Sequence, residues 1–245
     1  MTPAPDSDLQ LLTNAALFDG LTEAQLRTIQ QHAVLMEVPR RSFFFHQGEA
    51  ATTFYLLREG QVRLSQINPE GKQVIIHLFG PGDVMAVIVV LSNAPYPLSA
   101  EAITDCVAWA WSRETAVHLM EQCPRLAING MDMVARRFLE LQNRYRELST
   151  ERVEQRVARA LIRLIHQRNG YQEQKPYPLL SLTRQDLAEM TGTTLYTVSR
   201  ICSSWEQQGL LEAGREQLHI HKLEELTTIA DDLRPSPPNF PPRPN

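Results

Sequence analysis

A chain of 245 residues, 43% apolar and 21% charged, has material for one large or two modest folded domains, and its composition excludes a disordered or fibrous polypeptide. No apolar run reaches the ~20 residues of a membrane span, and the opening MTPAPDSDLQ has no basic stretch followed by an apolar one, so neither a membrane protein nor a signal peptide is expected. The net charge of −4 excludes a chain that is basic throughout, although phosphate binding requires only a local positive surface. Cys106, Cys123 and Cys202 form no CxxC pair and leave one odd, which suits a reducing cytoplasm and argues against a disulfide framework.

Residues 8–31 are helical in pattern, and Leu17, Phe18 and Leu21 precede Thr22, which can cap a helix with Gln25 at its third position. From Ala33 to Trp111 the signal changes to β. Alternating runs at 54–57, 62–64 and 74–78 are separated by the turn signals Gln47-Gly48-Glu49, Glu59-Gly60, Asn68-Pro69-Glu70-Gly71 and Gly80-Pro81-Gly82-Asp83. Short strands at this spacing predict an antiparallel barrel or roll.

A short helix over 113–122, ended by Pro124, precedes a long one over about 127–148. In the long helix Met131, Val134, Phe138, Leu141, Tyr145 and Leu148 step alternately by three and four, the two-in-seven seam of a coiled coil. A helix packed on its own domain is the other reading. The narrowness of the seam, flanked by Arg136, Arg137, Glu140 and Arg144, favours a partner helix, by default in a symmetric dimer. Ser149-Thr150 interrupts the seam as a hinge would. A second helix then runs to about Arg168 with Val153, Val157, Leu161, Leu164 and Ile165 inward, and Gly170 is placed to cap it. Along this middle region Arg136, Arg137, Arg144, Arg146, Arg152, Arg156, Arg159, Arg163 and Arg168 are opposed by Glu140, Glu147, Glu151 and Glu154. Residues 172–180 form a proline-containing connector.

Residues 183–208, TRQDLAEMTGTTLYTVSRICSSWEQQ, have the pattern of a helix-turn-helix. Ala188 sits where two helices cross closely, Gly192 where the turn requires a positive φ, and Val198 where the second helix plugs onto the first, with Leu187 and Ile201 completing the apolar contacts. Thr183 with Asp186 resembles a capping box. A plain helical hairpin would explain the glycine turn equally. It would not explain polar Thr194, Thr197, Ser199 and Arg200 on the face that a buried helix makes apolar. Residues 210–212 and 218–221 flank Ala213-Gly214-Arg215-Glu216 as a small β-hairpin, a wing, and the tail over 234–245 is expected to be disordered. The fold class expected is α+β. Its divisions are helices and an effector β-roll over 1–125, a dimerisation helix over 126–150, a winged helix-turn-helix over 151–230 and a Pro-rich tail over 231–245.

With its parts in this order, the chain resembles the CRP/FNR family of bacterial transcription regulators. The resemblance covers about 15–230. It rests on Leu17-Phe18-Asp19-Gly20-Leu21-Thr22, on Gln47-Gly48-Glu49, on the runs 54–60, 79–83 and 182–188, and on Thr197-Val198-Ser199-Arg200. It implies a cyclic-nucleotide-binding-like jelly roll and a homodimer on a palindrome in double-stranded DNA. It further implies a switch between low- and high-affinity arrangements when the roll binds its signal, and RNA polymerase as a partner.

Family members that bind cyclic AMP carry Gly-Glu shortly after the Pro-Gly-Asp turn and Arg-Ser about ten residues further on. Here Ala86-Val87 and Tyr96-Pro97 stand at those places, and no arginine occurs between Arg63 and Arg113. A cyclic phosphate would lack its guanidinium partner, so cyclic AMP is rejected. Four thiolates with cluster spacing are also missing, which rejects an iron–sulfur cluster. Residues 192–200 are similar to the branch of the family that responds to nitric oxide, and this implies haem. The candidate effector pocket comprises Val84, Ala86, Val87, Tyr96 and His77, with His32, His46 and His118 as further imidazoles. An unknown apolar effector, or no effector and control by abundance, are the other readings.

On DNA, Arg200 is the residue expected to read a base, its fork matching guanine O6 and N7. Many relatives have glutamate where this chain has Tyr196, so Tyr196 and Leu195 are expected to touch a thymine methyl instead. Ser199 resembles a base-contacting serine of the FNR branch. Thr183, Arg184, Thr194 and Thr197 are assigned to phosphates, with helix capping the equal alternative for the threonines. No nucleophile–base–orienter set, metal-ligand spacing or phosphate loop is evident, so an enzyme is not expected. A protein that uses the helix-turn-helix as a docking surface is the remaining class.

Overall fold

The computed structural model describes residues 5–68, 70–71, 73–87, 92, 94–169, 179–214 and 216–231, the first three and the last three of 5–169 by backbone alone. The proposed cap Gly170, most of the 172–180 connector, Arg215, the side chain of Arg168 and the 234–245 tail lie outside these residues. The chain divides into two units, Met1–Gln142 and Asn143–Asn245.

In the first unit the strands are β1 (Val34–Val38), β2 (Phe43–Phe45), β3 (Thr53–Glu59), β4 (Val62–Ile67), β5 (Gln73–Phe79), β6 (Val84–Met85), β7 (Ser99–Ala102) and β8 (Cys106–Ser112). They form two four-stranded antiparallel sheets, ordered β1-β8-β3-β6 and β2-β7-β4-β5. Strand β3 lacks polar alternation because both of its faces are covered. Phe54 and Leu56 join one apolar cluster, whereas Tyr55 and Leu57 join another. Strand β8 does the same, with Trp109 and Trp111 on one side and Cys106, Ala108 and Ala110 on the other. The second cluster includes Phe44, Phe45, Val62, Phe79, Met85 and Tyr96, drawn from both sheets, and is the interior of the roll.

The first cluster is covered by helices α1 (Pro5–Asn14), α2 (Glu23–Gln31) and α3 (Arg113–Gln122), and by a 3-10 turn at Ala16–Phe18. The helical pattern over 8–31 is therefore broken by that turn and by Gly20, whose φ is +72°. Thr22 and Gln25 form the expected capping box. The Trp111 indole N–H donates to Ile29 O at 2.9 Å and ties α2 to the sheet.

Gly60 turns between β3 and β4 with φ +92°, and a Cβ there would meet Asp105 O and, at 2.6 Å, Cys106 Sγ. Gly60→Ala is expected to destabilise the protein by roughly 2–5 kcal/mol through backbone strain and overpacking, read as a lower denaturation midpoint.

Helix α4 spans Pro124–Thr150 and the division between the units falls within it. Pro124 opens this helix rather than merely ending the one before, because a first-turn proline lacks only an N–H that would go unused. Asn129, 7% exposed, donates to Leu17 O at 2.8 Å and Asp19 O at 2.9 Å. The hinge expected at Ser149-Thr150 is displaced. Both hydroxyls donate back to Tyr145 O and Arg146 O at 2.9 Å, so the helix continues and the break comes at 151–152.

The second unit holds α5 (Val153–Asn169), α6 (Arg184–Thr191), α7 (Leu195–Gln207), the antiparallel pair β9 (Leu211–Ala213) and β10 (Leu218–Ile220), and α8 (Leu223–Asp231). Val157, Leu161, Leu164 and Ile165 are buried as expected, and Val153 is half-buried. Helix α8 follows the wing and adds to the elements expected from the sequence. It packs on α5 through Leu223, Leu226 and Ala230, and Arg159 closes its C-terminus by donating to Ala230 O at 2.8 Å.

Candidate nucleic-acid interface

Helix α6 begins in a complete capping box. The Thr183 N–H and hydroxyl donate to Asp186 Oδ2 at 2.8 and 2.7 Å, and the hydroxyl accepts from Asp186 N. At its other end Gly192 takes φ +64° and ψ +39°, and its N–H bonds Ala188 O. This left-handed cap turns the chain sharply enough for α7 to cross α6. Leu148 Cδ2 would lie 3.2 Å from a Cβ at Gly192, so close packing as well as φ keeps this position small. Thr194 then caps α7, accepting from Thr197 N at 3.2 Å, and the two hydroxyls are 3.0 Å apart.

Helix α7 has two faces. Val198, Cys202 and Trp205 are fully buried at helical spacing. The Trp205 indole N–H donates to Glu154 Oε1 at 3.2 Å, which locks α7 onto α5. Burial pushes the Cys202 thiol up to about 11, so at neutral pH it is an inert apolar filler rather than a nucleophile. Ile201, expected in the core, is only half-buried. On the other face Leu195 is 47% and Tyr196 71% exposed, Arg200 is exposed, and Ser199 is half-exposed. The Arg200 guanidinium carbon lies 5.9 Å from the Tyr196 ring centre, so the ring supports the arginine one turn on.

All four residues assigned to phosphates have partners within the chain. The hydroxyls of Thr183 and Thr194 are spent on caps, and that of Thr197 lies against Thr194. Arg184 Nη2 pairs with Glu206 Oε2 at 3.1 Å. Glu206, which the sequence reading overlooked, also accepts from Ala213 N at 2.9 Å. One carboxylate therefore joins α6, α7 and the wing. No periodicity marks it, because its partners lie 22 positions before and seven after it.

The central arginines likewise serve the scaffold. Arg163 meets Glu147 at 2.8 Å, Arg159 meets Glu151 at 3.0 Å and Arg136 meets Asp132 at 2.6 Å. Arg156 donates to Thr191 O at 3.1 Å and Glu151 O at 2.9 Å, and burial lowers its pKa.

The seam residues of α4 lie open in the single chain: Met131 73%, Phe138 59%, Leu141 53%, Tyr145 75% and Leu148 54% exposed, with Val134 at 40%. Beside them in the first unit a groove of about 680 Å³ is lined by Ala15, Ala16, Arg125, Ile128, Met131 and Arg136, among others.

The five residues expected to line an effector pocket do not share one wall. Val84 and Val87 belong to the helix-covered cluster, whereas Tyr96 belongs to the roll interior, with Ala86 packed against it at φ +66°. Strand β6 ends at Met85, and the positive φ of Ala86 breaks the alternation there, so that Val87 returns to the side of Val84. Tyr96 stacks on Phe45 with ring centres 3.9 Å apart, and its hydroxyl donates to Thr53 O at 2.7 Å. His77, 5% exposed, has Arg137 Nη1 at 2.9 Å from Nδ1 and 3.2 Å from Nε2. A guanidinium can only donate, so the imidazole lone pair is already engaged. His32 Nδ1 bonds Thr28 O, and His118 Nε2 bonds Gln122.

Residues 35–123 match the cyclic nucleotide-binding domain model, and residues 155–229 match the Crp-like helix-turn-helix domain model. The cyclic AMP receptor protein of Thermus thermophilus is 28% identical over 91% of this chain and 100% of its own length. The transcriptional activator protein anr of Pseudomonas aeruginosa is 25% identical over 77% of each. Among solved structures, the Thermus thermophilus catabolite activator protein aligns at 28% identity with a TM-score of 0.53, covering 88% of this chain and 98% of its own. FixK2 from Bradyrhizobium japonicum aligns with a TM-score of 0.69 at 24% identity, covering 80% and 96%, a likeness of fold alone.

Proposed function

Since the chain belongs to the CRP/FNR family of transcription regulators, with a DNA-binding helix-turn-helix and not an enzyme's machinery, we propose that it acts as a homodimer on a palindromic site. In this reading α4 of each copy zips along the Met131–Leu148 seam, and α7 of each copy enters the major groove. The single observation that carries the reading is the division of α7: Val198, Cys202 and Trp205 anchor one face while Leu195, Tyr196, Ser199 and Arg200 stand out on the other. Arg200 reads a guanine, with Tyr196 and Leu195 beside a thymine methyl. The N–H groups at the start of α7, more than the threonine hydroxyls, hold phosphate. Fluorescence anisotropy on inverted repeats and on scrambled duplexes, across a salt series, tests it. Binding should be tighter on the repeat and fall with salt on both. Equal affinity for both duplexes would favour a docking protein.

The signal sensed in the roll is not cyclic AMP. Tyr96 fills the interior where a guanidinium would be required, and cyclic AMP should neither give heat in calorimetry nor change DNA affinity. Haem remains the alternative suggested by the resemblance over 192–200, although the Arg137 contact makes His77 a poor axial ligand. Control by abundance is the other alternative. A Soret band in the freshly purified protein would establish haem, and its absence at full DNA affinity would remove it. RNA polymerase is the expected partner and the cytoplasm the expected compartment. Among the described residues no helix is long and apolar enough to cross a membrane.

A further inference from the structure

We propose that the wing binds a divalent transition-metal ion, zinc being the best fit, through Glu212, His219 and His221. Glu212 and His219 are directly opposite in the β9–β10 register, and His221 follows His219 by two, so all three side chains project from one face of the hairpin. Their ligating atoms lie within 4.8 Å of one another. His221 Nε2 is 3.9 Å from Glu212 Oε2, and the two imidazole centres are 4.6 Å apart.

A tetrahedral ion with bonds of about 2.0–2.2 Å sets its ligand atoms roughly 3.3–3.5 Å apart, so small side-chain rotations close the set on a fixed backbone. The side chains of His221 and Glu212 are 42% and 78% exposed, which leaves them free to make those rotations and lets an ion enter. Among the described residues neither imidazole has a hydrogen-bonding partner. Two neutral imidazoles and one carboxylate, with a fourth position for water, form a donor set that suits Zn²⁺ and related ions and does not suit Ca²⁺ or Mg²⁺. The sequence gives no metal-ligand spacing because the hairpin loop separates Glu212 from the histidines.

The ion would convert a patch carrying the Glu212 charge into one of net positive charge, on the element next to α7. Phosphate approach is thereby favoured. This consequence rests on the DNA-binding reading; metal uptake does not.

Cobalt(II) titration of the full-length protein, followed by visible absorption and displacement with zinc, tests the site. One ion per chain should bind with a tetrahedral cobalt spectrum. His219→Gln and His221→Gln should each weaken uptake more than about a hundredfold, with the thermal midpoint of the metal-free protein unchanged. No cobalt spectrum, or one that survives both substitutions, would overturn the site. Zinc should also tighten DNA binding in the wild type and not in either variant. Uptake with unchanged DNA affinity would keep the site and remove its link to DNA.

Discussion

Phe138→Glu is expected to leave the protein monomeric at micromolar concentration and to abolish tight binding to an inverted repeat. In the isolated chain this side chain is 59% exposed and lies mid-seam, between Val134 and Leu141. In a parallel pair each substitution occurs twice, and the two carboxylates face each other in an apolar layer. An uncompensated buried charge costs roughly 3–5 kcal/mol. Two such charges cancel most of the 8–12 kcal/mol of a micromolar to nanomolar dimer. The isolated fold should be unaffected, because Phe138 belongs to neither apolar cluster of the first unit. Sedimentation velocity together with circular dichroism checks both halves: a monomer with the wild-type spectrum. A persistent dimer would place the interface away from the Met131–Leu148 seam.

Arg200→Ala is expected to erase sequence preference while leaving weak, salt-sensitive binding. A bidentate contact to guanine discriminates by about 1–3 kcal/mol, and a dimer makes it twice, so the two half-sites together lose roughly 2–6 kcal/mol. The phosphate contribution is expected to persist, since the proposed contacts from the N–H groups at the start of α7 do not involve the Arg200 side chain. The fold should not suffer, because Arg200 is exposed and its contact is the Tyr196 ring. Competition with unrelated duplex measures the ratio of specific to non-specific affinity. That ratio should collapse in the variant, and an unchanged ratio would move base reading to another residue.

Much of this architecture is legible in the sequence where the physics is local. Gly192 announces its left-handed turn, and Val198 the plug six positions on. Thr22 with Gln25 and Thr183 with Asp186 spell out caps that form as written. The regular step of the seam from Met131 to Leu148 is visible for the same reason, since helical geometry alone puts those residues on one stripe.

What escapes the sequence depends on partners far along the chain. Nothing local says that Val84 and Val87 turn to the helix-covered face while Tyr96 enters the roll. A strand buried on both sides carries no polar marker. The sequence sets glutamates against the arginines of the middle region but does not say which pair: Arg163 takes Glu147, Arg159 takes Glu151 and Arg136 takes Asp132. Arg184 likewise pairs with Glu206, 22 positions on. Helix α8 is hard to foresee because it is short, and Thr227 and Thr228 at its centre lower its helical propensity. Packing against α5 makes it a helix.

The most direct measurement is selection of bound sequences from a random duplex pool, followed by determining how many copies sit on the winner. Two copies should occupy an inverted repeat whose half-sites are centred about one helical turn, roughly 10–10.5 base pairs, apart. Each half-site should contain a guanine whose loss is felt by the wild type and not by Arg200→Ala. A single copy on the selected duplex, or an enriched sequence without two-fold symmetry, would contradict the paired-helix mechanism.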